Sequence, residues 1–195
     1  DVSFLVTRRK DIFMEKLIQI CKKSLYEAHD VLKSLSDEGV PEVYDEHVVD
    51  ISTKGDMAVS EALKRFFSQQ GIPAVLYSEE SGRIELTKKP EYTITFDDID
   101  GTDNYHRGRK ILPYCTVVTV FDSAEPNFEN AVVAGIIEHN SGMLWHAVRN
   151  QGCYLNDVRV NTSGIKTLNR KTLVIIDHYM GAKDISKLLA IYPES

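Results

Sequence analysis

Between Arg9 and Asp37 apolar residues return at steps of three and four, at Leu17, Cys21, Leu25, Ala28, Leu32 and Leu35, which predicts one long amphipathic helix. Gly39 and Pro41 are expected to end it. Ala58, Ala62, Leu63, Phe66 and Phe67 mark a second helix, entered through Thr53-Lys54-Gly55-Asp56 and closed near Gly71 and Pro73. The pattern then shortens. Ala74–Tyr77 predicts a strand stopping at Ser78-Glu79-Glu80-Ser81-Gly82, and Tyr92–Phe96 predicts another stopping at a run of acids. Tyr114–Phe121, Ala131–Glu138 and Met143–Val148 read as further strands, the last two joined by a hairpin at Asn140-Ser141-Gly142. Another small hairpin is expected around Asn156-Asp157. Successive strands with short turns make a largely antiparallel sheet, and two long helices would pack on one face of it, so the expected fold class is α+β. Past Lys171 a continuously apolar strand, Thr172–Ile176, precedes a helical stretch from Ala182 to Ile191, read as the start of a second α/β layer. The expected domains are residues 1–168 and 169–195.

Composition narrows the partners. The chain has 195 residues, 43% of them hydrophobic, enough to bury a core. Its formal net charge of -6, with acids gathered at two places, argues against a nucleic-acid or membrane surface and for divalent cations. Cys21, Cys115 and Cys153 have neither paired nor metal-ligand spacing, so reduced thiols acting as small buried hydrophobes are expected. No apolar run is long enough to span a bilayer and the N-terminus has no signal-peptide segment, so a soluble, cytoplasmic protein is expected. The chain begins on Asp1 and stops at Ser195 soon after a new strand and helix, which reads as a piece of something longer.

The candidate chemistry lies in Thr93–Tyr105, where an apolar strand runs into Asp97, Asp98, Asp100, Gly101 and Thr102. Carboxylates about 4 Å apart repel by roughly 4 kcal/mol at a protein-like dielectric, so Asp97 and Asp100 meeting at one spot need a cation or protons between them. Gly101 permits a tight turn, and a helical turn opening at Thr102 would offer free N–H groups to a phosphate. Metal and phosphate together point to phosphoryl chemistry. Taken singly, each acid also has a plain structural reading: Asp56 as a helix cap, Glu79 and Glu80 as exposed turn residues, and Asp97 to Asp103 as a solvated turn.

The order of these groups is more specific than any one of them. Asp56, then Glu79-Glu80 after a strand, then Asp97-Asp98-Ile99-Asp100-Gly101-Thr102-Asp103-Asn104-Tyr105 after a second strand, resembles the inositol monophosphatase family. These are magnesium-dependent, lithium-sensitive phosphatases of the superfamily that includes fructose-1,6-bisphosphatase, with a sugar phosphatase-like fold. Asn150-Gln151-Gly152-Cys153-Tyr154-Leu155-Asn156 is similar to a later glycine-containing segment of the family. The resemblance implies that Glu79, Asp97 and the Ile99 carbonyl hold a first Mg2+, that Asp97 and Asp100 share a second, and that the complete enzyme uses two or three ions. It further implies that Gly101 and Thr102 receive the phosphate, with Asp100 at the substrate. Asp56, Glu79 and Thr102 would then position and deprotonate the attacking water. A small phosphorylated substrate is the implied partner, and a homodimer is plausible for the family.

Three departures stand out. Asp98 occupies a position that is usually proline in the family, an extra carboxylate expected to face solvent or to adjust metal affinity. The loop His106-Arg107-Gly108-Arg109-Lys110 is basic and reads as a solvated loop or as an attractor of anionic substrate. The family's later Trp-Asp segment has no counterpart, since the one tryptophan is Trp145 in a strand, followed by His146. Either the chain is truncated or its second metal position lacks a ligand. Asp98-Ile99-Asp100-Gly101-Thr102 also resembles the first motif of haloacid dehalogenase-type phosphatases, which would make Asp98 a nucleophile, but two helices and Glu79-Glu80 precede it here. A non-catalytic metal-binding or interaction module is the remaining reading.

Overall fold

The three-and-four spacing folds as a helix, α1, over Val2–Leu35. It begins at Val2 rather than at the expected Arg9, because no glycine or proline in between interrupts it. The computed structural model of the chain describes residues 2–35, 43–45, 52–108 and 111–167. The expected terminators Gly39 and Pro41, the strand Thr172–Ile176 and the helix from Ala182 to Ile191 lie outside those residues, and so does the expected division at 168 and 169. The chain divides into two units, Asp1–Asn161 and Thr162–Ser195, and in the described stretch 162–167 of the second there is no helix or strand.

In the first unit a two-stranded ribbon of β1 (Val43–Asp45) and β2 (Ser52–Thr53) leads into α2 (Lys54–Ser68). The rest is one sheet, built from β3 (Ala74–Ser78), β4 (Gly82–Glu85), β5 (Tyr92–Asp100), β6 (Cys115–Phe121), β7 (Ala131–Glu138), β8 (Leu144–Val148), β9 (Gly152–Leu155) and β10 (Val158–Val160). Its spatial order is β10-β9-β8-β7-β6-β5-β3-β4, and every pair is antiparallel except β3 with β5. A short helix, α3 (Thr102–Gly108), follows β5 directly. The expected hairpins form at Gly142, whose φ is 69°, and at Asn156 and Asp157, with φ of 47° and 67°, the left-handed pair that a tight two-residue turn needs.

Both long helices cover one face of this sheet, α1 over β6, β7 and β8 and α2 beside β5. Leu17, Cys21, Leu25, Ala28 and Leu32 are buried as their spacing requires, while Leu35 is only half-buried. In α2 the buried stripe is Val59, Ala62, Leu63 and Phe67, one step away from the expected Ala58 and Phe66, which are half-buried. Each fully buried leucine or phenylalanine contributes about 1.5–3 kcal/mol, so this stripe and the strands beneath it form the main anchor. The closest approach is at Gly135 of β7, where an added Cβ would lie 2.6 Å from Leu25 Cδ1 and 3.0 Å from Cys21 Sγ. Only hydrogen fits between α1 and the sheet there.

Two expectations are corrected. The strand expected over Tyr92–Phe96 continues to Asp100, so the acids stand within β5 rather than in a turn after it. Pairing with β6 holds them there, a tertiary contact that outweighs the poor strand propensity of Asp. The segment Gly82–Glu85, left without an element by its polar sequence, is the edge strand β4, pairing antiparallel with β3.

Candidate active site

The parallel pair sets the geometry. Ser78 of β3 is the register partner of Phe96 in β5, and because both strands run the same way, the next residues, Glu79 and Asp97, emerge side by side. Their carboxyl groups meet: burial first, then the adjacent Glu79, then Asp100 and Asp98, push the Asp97 pKa up to about 8. Asp97 Oδ1 is buried and has no hydrogen-bond partner. Glu79 and Asp100 are exposed at the mouth.

Asp100 joins them through an irregularity in the ladder. Asp97 pairs with Val117 and Asp100 with Cys115, so β5 carries one residue more than β6 between the two pairs. Val117 and Cys115 are two apart on β6 and share a face, and cross-strand partners share a face too, so Asp97 and Asp100 lie on one side of the sheet. In an unbroken strand, residues three apart would point to opposite sides. Cys115, expected to be a buried hydrophobe, is instead half-buried with Sγ 3.5 Å from Asp100 Oδ2, and burial together with Asp100 pushes its thiol up to about 12. Cys21 is buried as expected, and Cys153 is half-buried.

Asp98 turns the other way. It was expected to face solvent or tune the metal, but it is 0% exposed, with Oδ2 accepting Ser78 Oγ at 3.0 Å. Ser78 in turn meets Ser60 Oγ at 3.1 Å, and Ser60 meets Ser81 Oγ at 2.9 Å, a buried hydroxyl network that accommodates a polar side chain between β3, β5 and α2. Burial, followed by the Glu80 and Asp56 charges, lifts Asp98 to about 7 against the pull of the Ser78 bond.

Asp56 takes part in the cap of α2 and also faces Thr102. Thr53 caps α2, and the Asp56 Oδ2 reaches back to Thr53 N at 2.8 Å and Thr53 Oγ1 at 2.5 Å, a reciprocal capping box. Its Oδ1 faces Thr102 Oγ1 at 3.3 Å. Burial is the main cause that raises its pKa to about 6, offset in part by the Thr53 bonds. Thr102 Oγ1 also donates to the Ile99 carbonyl at 2.8 Å, so the oxygen expected to meet a metal accepts a hydroxyl here. A carbonyl oxygen has two lone pairs, and one stays available.

Gly101 has φ of 90°, a conformation that favours glycine, and an added Cβ would lie 3.3 Å from Pro113 O. The turn allows α3 to start at Thr102, and Asn104 Nδ2 ties it to Pro113 O at 2.7 Å. Of the basic loop, His106 is half-buried with Nδ1 unpartnered, Arg107 and Gly108 finish α3, and residues 109–110 lie outside the described region.

The donor set of Glu79, Asp97, Asp100 and the Ile99 carbonyl is all oxygen, which suits a hard cation such as Mg2+ or Ca2+. Among the described residues no three His, Cys, Asp or Glu side chains stand together at metal-binding spacing. What the fold brings into contact is the Glu79–Asp97 pair, with Asp100 on the same side. The unpartnered Asp97 Oδ1 and the proton affinity of its carboxyl fit a group that a cation would satisfy.

The model of the inositol monophosphatase family matches residues 13–193. A fructose-1,6-bisphosphatase/inositol-1-monophosphatase of Methanothermobacter thermautotrophicus is 24% identical over 126 residues, covering 60% of this chain and 44% of that protein. Inositol monophosphatase 2 of Saccharomyces cerevisiae is 26% identical over 133 residues, 66% of this chain and 42% of the relative. The chain therefore spans less than half the length of these two relatives. The fold is similar to that of an IMPase/NADP phosphatase crystallised with Mg2+ and phosphate, with a TM-score of 0.60 at 18% identity over 75% of this chain and 53% of the other. With nearly all of its residues matched by the family model, the chain belongs to the inositol monophosphatase family.

Proposed function

We propose that the protein hydrolyses a small phosphate monoester in a Mg2+-dependent reaction, with Glu79, Asp97, Asp100 and the Ile99 carbonyl as cation ligands. The observation that carries this reading is the register of β3 with β5, which sets the Glu79 carboxyl against that of Asp97. When bound, the cation supplies charge to the phosphoryl oxygens and lowers the pKa of a coordinated water. The chain's own groups do the rest. Asp56, with a pKa near 6, is suited to take a proton at neutral pH, and Thr102, 3.3 Å from it, would orient the water through its hydroxyl. Thr53 keeps Asp56 Oδ2 fixed, so Oδ1, which faces Thr102, is aimed rather than mobile. The backbone N–H groups at Gly101 and Thr102, at the start of α3, would receive the phosphate.

Asp98 as nucleophile, the haloacid dehalogenase-type alternative, is disfavoured because its side chain is fully buried and lies away from the face that Asp97 and Asp100 share. The test is phosphate release by the natural protein from inositol 1-phosphate, fructose 1,6-bisphosphate and NADP, with Mg2+ and with a chelator. Release that needs Mg2+ is expected, and Asp97→Asn should abolish it. Equal release in chelator, or phosphate trapped on Asp98, would overturn the proposal.

A further inference from the structure

The extra residue that turns Asp97 and Asp100 to one side has a support of its own. Asp98 and Ile99 together oppose Thr116, and an insertion of this kind bends the strand and re-aims its side chains. Thr116 is fully buried, and its hydroxyl donates to the Asp98 carbonyl at 2.6 Å. The same hydroxyl oxygen lies 2.9 Å from His139 Nε2, and His139 Nδ1 lies 3.3 Å from His29 Nδ1 in α1. These contacts run from the helix layer, across the end of β7, to the strand that bears the acids.

Proton counting gives the row one direction. A carbonyl can only accept, so the single Thr116 proton is committed to Asp98 O, and toward His139 the hydroxyl accepts. His139 therefore carries its proton on Nε2 and offers the Nδ1 lone pair to His29, which donates from its own Nδ1. Ring packing holds the imidazole in that pose. It stacks on Tyr114 at 5.3 Å and is nearly parallel to His29 at 5.6 Å and 5°, while its backbone N–H bonds Tyr114 O at 3.1 Å. Burial, with His29 as the next cause, brings the His139 pKa down to about 3, so the ring stays neutral and never sets N–H against N–H. His29, Tyr114 and His139 together line a cavity of about 430 Å³ with Leu32, Lys33 and Ser141.

We propose that His139, held in one tautomer by His29, is a positioning residue for the acid site, fixing the Asp98–Ile99 insertion through Thr116. The inference rests on the reading of Glu79, Asp97 and Asp100 as a cation site and deepens it. Groups that orient metal ligands from outside the coordination shell are worth about 10–100-fold in metal affinity. His139→Phe keeps a ring in the stack and removes the donor, Thr116→Val removes the hydroxyl at constant shape, and His139→Gln restores an N–H near the position of Nε2.

The experiment has four readouts on the 195-residue chain. Long-range proton–nitrogen spectra of the parent should show His139 protonated on Nε2; protonation on Nδ1 overturns the inference without any variant. Mg2+ titration by calorimetry should give affinities about tenfold weaker for His139→Phe and for Thr116→Val, no further loss in the double variant, and recovery to within about threefold in His139→Gln. Urea unfolding in parallel separates this from lost stability, since a merely structural histidine would lower the midpoint and leave Mg2+ affinity unchanged. Backbone amide shifts at Ile99, Asp100 and Gly101 should move in the two weakening variants and return in His139→Gln. A parent that binds Mg2+ as tightly as His139→Phe sinks the inference and spares the cation site. A parent that binds no Mg2+ sinks the cation reading, and the tautomer and amide shifts then decide the positioning role alone.

Discussion

Replacing His139 by Gln should change how stability depends on pH, by an amount set by the burial of the imidazole. In the fold His139 is 7% exposed and takes up a proton only near pH 3, against 6.5 for the free side chain, with His29 and Glu138 the charged or titratable groups that perturb it. The unfolded chain thus binds a proton that the folded chain refuses between these two values. Stability from this residue is whole above pH 6.5 and is lost as pH falls toward 3. At about pH 5 the loss is roughly 1.5 units at 1.36 kcal/mol each, about 2 kcal/mol. Glutamine does not titrate, and the carboxylates common to both chains cancel in the difference. Urea unfolding of parent and His139→Gln at about pH 7.5, 6 and 5, with chelator and constant salt, measures it. The parent's advantage over the variant should shrink by about 2 kcal/mol from the highest pH to the lowest. A difference that stays constant to about 0.5 kcal/mol would mean that His139 is not held neutral, and the burial argument would fail.

Two further outcomes follow from the acid side. Asp98 keeps its proton in the fold up to about pH 7 against 3.8 for the free carboxyl, so its contribution is whole below about pH 4 and declines as pH rises toward 7; at 1.36 kcal/mol per unit, Asp98→Asn should therefore stabilise the chain by about 4 kcal/mol more at pH 8 than at pH 4, read from urea midpoints. Thr53→Ala removes the hydroxyl that caps α2 and the side-chain bond that lowers the Asp56 pKa while keeping the backbone N–H bond, so it should cost about 1–2 kcal/mol and move the acid limb of the pH–rate profile of the natural protein upward.

The helices were legible because burial against a sheet imposes a period of three to four, and Leu17 through Leu32 obey it. Strand alternation was equally open in β6, where buried and half-buried residues alternate without a break. The acids at Asp56, Glu79, Asp97 and Asp100 were legible as a set because their order and flanking strands are specific. What the sequence hid is non-local. Nothing in Gly82–Glu85 marks an edge strand until β3 is beside it. Asp98 reads as a surface acid until Ser78, twenty residues earlier, supplies its hydrogen bond. The contact of His29 with His139 spans 110 positions, and no spacing rule connects them.

The most direct test of the central claim is a calorimetric titration of Mg2+ into the chain and into two single variants at about pH 8. Asp97 is read as a cation ligand between Glu79 and Asp100, whereas Asp98, one residue on, is buried on the other side of the strand. The account predicts binding by the parent, binding within about threefold in Asp98→Asn, and loss of more than about a hundredfold in Asp97→Asn. Binding that survives in Asp97→Asn, or is lost only in Asp98→Asn, would contradict it.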